Sequence, residues 1–256
     1  MSETVVVVVP DADILASAVA ARLVVKIIDA QAERGWASVV LTGGRIAAKV
    51  LRSVRELPAA DAIEWTHVDF WWGDERFLPA GHPERNETQA REALLDSLAL
   101  DPARVHPMPA SDGPQDDDAE AAAEWYAREL AAAAQPSSSE LPHFDVLMLG
   151  VGEDGHVASI FPEHPVGYAT GTTAAVHNSP KPPPTRITLT MRTIRTAEEV
   201  WLVASGPDKA VPIGMAIEGA GPRQIPAAGA TGTEKTLWLL DRPAAAKVPA
   251  SSWSLR

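Results

Sequence analysis

Apolar residues fall along the chain in two kinds of pattern. Short, nearly continuous runs occupy residues 5–9, 37–41, 66–71, 144–149, 187–191, 200–204 and 237–240. Runs of this length bounded by turn residues suit strands buried on both faces, as in a parallel sheet. Between them lie stretches with helical spacing. Leu15, Val19, Leu23 and Ile27 recur every fourth residue after Asp11 and Asp13, either of which caps a helix that runs to about Arg34 and stops at Gly35. Further helices are predicted from Arg45 to about Arg55, over 84–98, over 118–134, and after Lys209 to about Glu218. Residues 101–109 are proline-punctuated and read as extended, while 111–118, 135–142, 163–173 and 219–233 read as loops, with a polar tail after the last strand. Strands alternating with helices predict an α/β fold of Rossmann-like topology: a mostly parallel central sheet flanked by helices in a three-layer sandwich. With 256 residues, we expect one α/β domain over 1–256.

The ends of these strands carry the chemistry. The run at 144–149 opens into Gly150, Gly152 and Gly155, with Glu153, Asp154 and His156 among and after them. The spacing Asp-Gly-His either serves only to cap the next helix or brings a carboxylate and an imidazole to one concavity at the carboxyl edge of the sheet, where open α/β folds bind ligands; the absence of anything bulky between them favours the second. The run at 37–41 ends in Thr42-Gly43-Gly44-Arg45 before a helix, an arrangement that presents free backbone N–H groups to an anion. It has neither the Walker ending nor GxGxxG. The run at 66–71 is followed by Asp74-Glu75-Arg76, read either as a solvated turn or as a third cluster at the same edge. His67 and Asp69, two apart in that strand, share a face and are either ligands or sheet-surface residues. Lys181 and Arg186 flank three consecutive prolines, either to hold an anionic group or as exposed cations on a stiff connector. Lys209 stands near a helix N-terminus, where a cation opposes the helix dipole unless an anion is close by.

Composition narrows the possibilities. The net charge is −12 and the pI about 5.0, the wrong balance for a nucleic-acid partner. There is no cysteine, which removes thiol nucleophiles, disulfides and thiolate zinc sites together. No apolar run approaches the ~20 residues that span a bilayer, and the N-terminus lacks a basic region before its valines. A soluble, cytoplasmic protein is expected.

The segments LTGGRIAAKVL, FWWGDERFLPAGHPERNETQAREALL, FDVLMLGVGEDGHVASIFP, SPKPPPTRITLTMRTI and VWLVASGPDKA, in this order between about residues 40 and 210, resemble the 6-phosphogluconolactonases of the glucosamine-6-phosphate isomerase/6-phosphogluconolactonase superfamily. The resemblance implies hydrolysis of 6-phospho-D-glucono-1,5-lactone to 6-phosphogluconate in the oxidative pentose phosphate pathway. It implies a phosphosugar lactone as partner, no nucleic acid or membrane, no cofactor or metal, and a monomer or small homo-oligomer. By position, His156 is implied as the catalytic base with Asp154 beside it, and Gly43 and Gly44 as a phosphate cradle. Arg76, Lys181, Arg186 and Lys209 are implied as partners of phosphate or carboxylate. Asp74 matches the aspartate that the sister isomerases use to move a proton. The chain departs from the family at Arg45-Ile46-Ala47, where a Ser-Thr-Pro is common, so the loop must rely on backbone amides and Arg45. The isomerases and deaminases carry a glutamate five residues after the histidine; Phe161 stands there, which favours the lactonase. An isomerase or deaminase of hexosamine phosphates and a non-catalytic sugar-phosphate sensor are the rival readings.

Overall fold

The computed structural model describes residues 2–134 and 141–253, so most of the loop predicted at 135–142 lies outside the described residues. In chain order it contains β1 (Glu3–Val9), α1 (Ala12–Arg34), β2 (Ala37–Leu41), α2 (Arg45–Glu56), β3 (Val68–Trp72) and β4 (Asp74–Arg76). Then follow α3 (Asn86–Ala93), α4 (Ala119–Ala133), β5 (Val146–Gly150), β6 (Thr173–Val176) and β7 (Arg186–Leu189). The chain continues through α5 (Met191–Ile194), β8 (Glu199–Ala204), α6 (Ala210–Ile217) and β9 (Lys235–Asp241).

Six strands form the central sheet in the order β1-β9-β8-β5-β2-β3, and every pairing in it is parallel. Residues 37–41 are buried throughout, as a continuous apolar run in a two-sided sheet requires. The chain adds β3 on one side of β2 and later β5 on the other. The direction of winding therefore reverses between β2 and β5, and a crevice opens outside their carboxyl ends. Helix α1 is capped as the sequence predicts: the Asp11 carboxylate accepts from the Asp13 and Ile14 N–H groups, and Gly35, at φ 83°, donates back to the Gln31 carbonyl. Helices α1 and α2 pack on each other and on β2, β8 and β9, whereas α4 packs on β6 and β7.

Several local expectations are corrected. A second, antiparallel sheet of order β4-β7-β6 was not anticipated. Its first strand is the Asp-Glu-Arg stretch; of the two readings given for it the solvated turn fails, since Asp74 is 5 % exposed and Glu75 is wholly buried. Its last strand lies over the end of the segment 163–173 and beyond it. The two sheets are stitched at Gly73, which donates its N–H to the Leu41 carbonyl and accepts from the Leu189 N–H. The third strand starts at Val68, after a 3-10 turn over Trp65–His67. His67 therefore leaves the face it was expected to share with Asp69 and instead contacts Glu64. The helix expected over 84–98 stops at Ala93, because Leu94 takes φ −148° and ψ −54° before a further 3-10 turn. The tail is not uniformly polar in its packing, since Ala244, Ala245 and Val248 are buried.

At the opposite, amino edge of the sheet, Asp145 joins three elements. Its carboxylate accepts the Ser38 N–H at 2.8 Å and pairs with Arg34 at the end of α1 and with His143. Burial works to raise this carboxyl, but the hydrogen bonds from His143, Arg34 and the Ser38 N–H, with the Arg34 charge, prevail and hold it below the ordinary 3.8. A depressed carboxylate stabilises the fold fully above its unfolded value, and that contribution is lost as pH falls through the folded value. We expect Asp145→Asn to lower unfolding free energy by ~1.5–3 kcal/mol at neutral pH. In urea melts, the difference between variant and parent should shrink as pH is taken below 3.8.

Candidate active site

The crevice at the winding reversal is a cleft of ≈ 660 Å³ walled by the turns that follow β2, β5 and β8 and by the small sheet. After β2, Gly43 and Gly44 lead into α2, whose N-terminus carries no side-chain cap and no acidic residue in its first turn. Gly44 sits at φ 100°, in backbone territory that other residues rarely enter. The amides of this helix start are thus left for a ligand. After β8, Ser205 and the Gly206 N–H are tied to the buried Asp241, which fixes the corner that carries Lys209.

After β5 the chain makes a tight loop in which Gly155 donates to the Gly152 carbonyl and Gly152 to that of His156. Asp154 accepts the His156 backbone N–H at 3.2 Å and lies 2.5 Å from Nδ1 of the same residue. A carboxylate only accepts, so Nδ1 carries the proton and Nε2 is the basic nitrogen. Burial works to raise the Asp154 carboxyl. The hydrogen bonds and charge of His156, and the charge of Lys181, outweigh it and hold the group well below the usual carboxylate range. His156 lines the cleft and Asp154 stands behind it. Gly152 makes the pairing possible: a Cβ there would lie 2.0 Å from Nδ1 and 2.5 Å from the Asp154 carboxylate.

On the small-sheet side, Asp74 is held by two donors, Ser159 Oγ at 2.6 Å and the Asn86 side-chain amide at 3.2 Å. Its neighbour Glu75 takes the backbone N–H groups of Arg76, Asn86 and Glu87. Burial pushes the Glu75 carboxyl up to about 7, against the pull of Arg85 and of those three donors.

Six cationic side chains line the cleft: Arg45, Lys49, Arg76, Lys181, Arg186 and Lys209. Every residue expected at the site except Asp154 lines this one cavity. Arg76 and Arg186 are direct cross-strand partners on β4 and β7. Like charges placed opposite each other destabilise a sheet. Arg186 is 4 % exposed and spends its guanidinium on the carbonyls of Lys181, Pro182 and Pro183. Burial and the Arg76 charge lower its proton affinity, while Asp74, Glu75 and Glu84 support it. The proline segment is therefore both a braced connector and a wall of the cleft. Lys181 contacts Glu153 at 3.1 Å, and Lys209 contacts Asp208 at 2.9 Å. Lys49, paired with Asp13, and Asn86 also line the cleft and were not anticipated. Lys49 was readable, because it stands four residues after Arg45 on the same helix face.

The family model for "Glucosamine-6-phosphate isomerases/6-phosphogluconolactonase" matches residues 10–238. The chain belongs to this family. It is 59 % identical over 254 residues to the 6-phosphogluconolactonase of Streptomyces coelicolor, covering 98 % of this chain and 97 % of that one. It is 50 % identical over 241 residues to the 6-phosphogluconolactonase of Mycobacterium tuberculosis, covering 94 % and 96 %. Among solved structures, the 6-phosphogluconolactonase of Thermotoga maritima superposes with a TM-score of 0.80 at 27 % identity, over 93 % of this chain and all of that one. Among the described residues, no helix is long and apolar enough to cross a membrane.

The Gly152 contact gives a direct test of the His156–Asp154 geometry. Gly152→Ala should push the imidazole off the Asp154 carboxylate while the fold stays native by circular dichroism. A displacement of this order costs ~10²-fold in rate where the imidazole takes part in chemistry. A crystal structure of the variant would show whether the 2.5 Å contact is gone.

Proposed function

We propose that this chain hydrolyses 6-phospho-D-glucono-1,5-lactone to 6-phosphogluconate, as the names of its relatives describe for them. The observation that carries the reading is an imidazole whose Nδ1 is held by Asp154 while the ring faces a cleft lined by cations. A lactone needs a nucleophile at C1, a place for the negative charge that develops, and a grip on its far end.

The chain has no cysteine, and Ser205, at the cleft wall, donates to Asp241 rather than to an imidazole. Water is therefore the nucleophile. His156 Nε2 takes a proton as water attacks C1, giving a tetrahedral oxyanion and an imidazolium. The Asp154 carboxylate keeps the ring oriented and stabilises its positive form. When the intermediate collapses, the C1–ring-oxygen bond breaks and the imidazolium returns the proton to that oxygen. The carboxylic acid so formed loses its own proton to solvent.

The anions divide between the two ends of the cleft. The open helix start at Gly43 and Gly44, with Arg45, Lys49 and Lys209, takes the phosphate. The remaining cations are Lys181, whose charge reaches Asp154, and Arg186 with its cross-strand neighbour Arg76. They face the oxyanion and then the product carboxylate. Asp74, fixed by Ser159 and Asn86, accepts a hydroxyl of the sugar. A phosphate gripped away from C1 fixes the lactone relative to the water and converts binding into orientation.

Assays with fresh lactone test this. His156→Ala should lower kcat by ~10²–10⁴-fold. Arg45→Ala and Lys209→Ala should chiefly raise KM, and the same variants should barely affect any hydrolysis of unphosphorylated gluconolactone. A His156→Ala enzyme with parental kcat, or release of ammonia from glucosamine 6-phosphate in place of lactone hydrolysis, overturns the reading.

A further inference from the structure

The contact between Asp154 and Nδ1 fixes one point of the imidazole. Coupled rotation about χ1 and χ2 still tilts the ring about that contact, and the tilt swings Nε2. Something must block it if Nε2 is to meet a water and then a leaving oxygen. The backbone of Gly152 lies against the Nδ1–Cε1 edge. The other neighbour is Phe161, whose ring centroid is 4.5 Å from that of His156 with the planes tilted by 41°.

Phe161 is itself immobilised. It is 2 % exposed, His164 meets it edge-on at 6.2 Å, and the Arg186 guanidinium carbon stands 5.7 Å from its centroid. It does not line the cleft, so it has no direct access to substrate. A single aromatic ring therefore backs both the imidazole and the cation that braces the proline segment carrying Lys181. Aromatic contacts of this kind are directional, with preferred offsets and tilts, where an aliphatic side chain would fill the space without fixing an angle.

We propose that Phe161 is a positioning residue for the hydrolysis: its ring locks the imidazole of His156 in the orientation that serves the base. The inference rests on the assignment of His156 as general base, and its tests separate the two. Phe161→Leu and Phe161→Met keep most of the buried volume and remove the flat ring. Each should lower kcat by ~10–100-fold and leave KM within about threefold, since orientation is lost and phosphate binding is not. Phe161→Tyr, which restores a ring, should recover part of the loss. In a His156→Ala background, Phe161→Leu should change the residual rate by less than about twofold, because there is no imidazole left to hold. A role confined to core packing would slow both backgrounds alike.

The unmodified protein supplies an independent reading. Carbon-bound ring protons of His156 should show a ring-current displacement in NMR spectra that vanishes in Phe161→Leu. Unchanged kcat in folded Leu and Met variants, equal losses with and without His156, or no ring-current displacement in the parent would each overturn the proposal. If His156→Ala itself keeps parental kcat, the mechanism falls; if it is impaired while the Phe161 variants keep parental kcat, only the positioning role falls.

Discussion

Two arginines facing each other across a pair of strands is an arrangement that a sheet does not adopt for its own stability. Arg76 and Arg186 stand in that position, and Arg186 is almost wholly buried. The fold tolerates them by surrounding the pair with acceptors: the Glu84 carbonyl for Arg76, three carbonyls of the proline segment for Arg186, and the carboxylates of Asp74 and Glu75 nearby. Those partners fix the guanidinium groups in place without cancelling the local excess of positive charge along the cleft. An incoming anion then meets dipoles and charges that are already oriented, so little reorganisation remains for the reaction itself. A protein of net charge −12 gathers six cationic side chains around one cleft.

Much of this was legible in the chain before its coordinates. Strands buried on both faces show as apolar runs, and ligands collect where such runs end. The turns at Gly43, Gly150 and Gly206, with His156 and Lys209 beside them, could therefore be located without a structure. Of the second sheet only the middle strand, expected over 187–191, was legible. Its strands have three or four residues, and β4 reads Asp-Glu-Arg, a composition that in isolation belongs in water. Burial of those charges depends on partners far along the chain: Ser159 and Arg186 for Asp74, and the backbone at 86 and 87 for Glu75. No window of local sequence contains those pairings.

The same limit explains the smaller misplacements. Trp65–His67 coils into a 3-10 turn, which shifts the start of β3 and turns His67 out of line with Asp69. The periodicity of 84–98 continues past Ala93, yet the backbone at Leu94 leaves helical space and lets Leu95 reach the core by another route. Asp154 was assigned to the site by its spacing from His156 and by the family resemblance. Whether it touched the sugar or the imidazole depended on which way a two-residue step folded, and the coordinates place it behind the ring.

The join at Gly73 has a consequence for the molecule as a whole. The parallel sheet contributes the imidazole and the helix start, while the antiparallel one contributes Asp74, Arg76 and Arg186. Backbone bonds to a single glycine stitch the carboxyl edge of the first to the second. On the function proposed above, a sugar phosphate seated between them acts as a removable cross-brace, gripping both sheets beyond their natural seam. Resistance to heat then rises with the level of the metabolite that fills the cleft, so the fold is sturdiest while it has work to do.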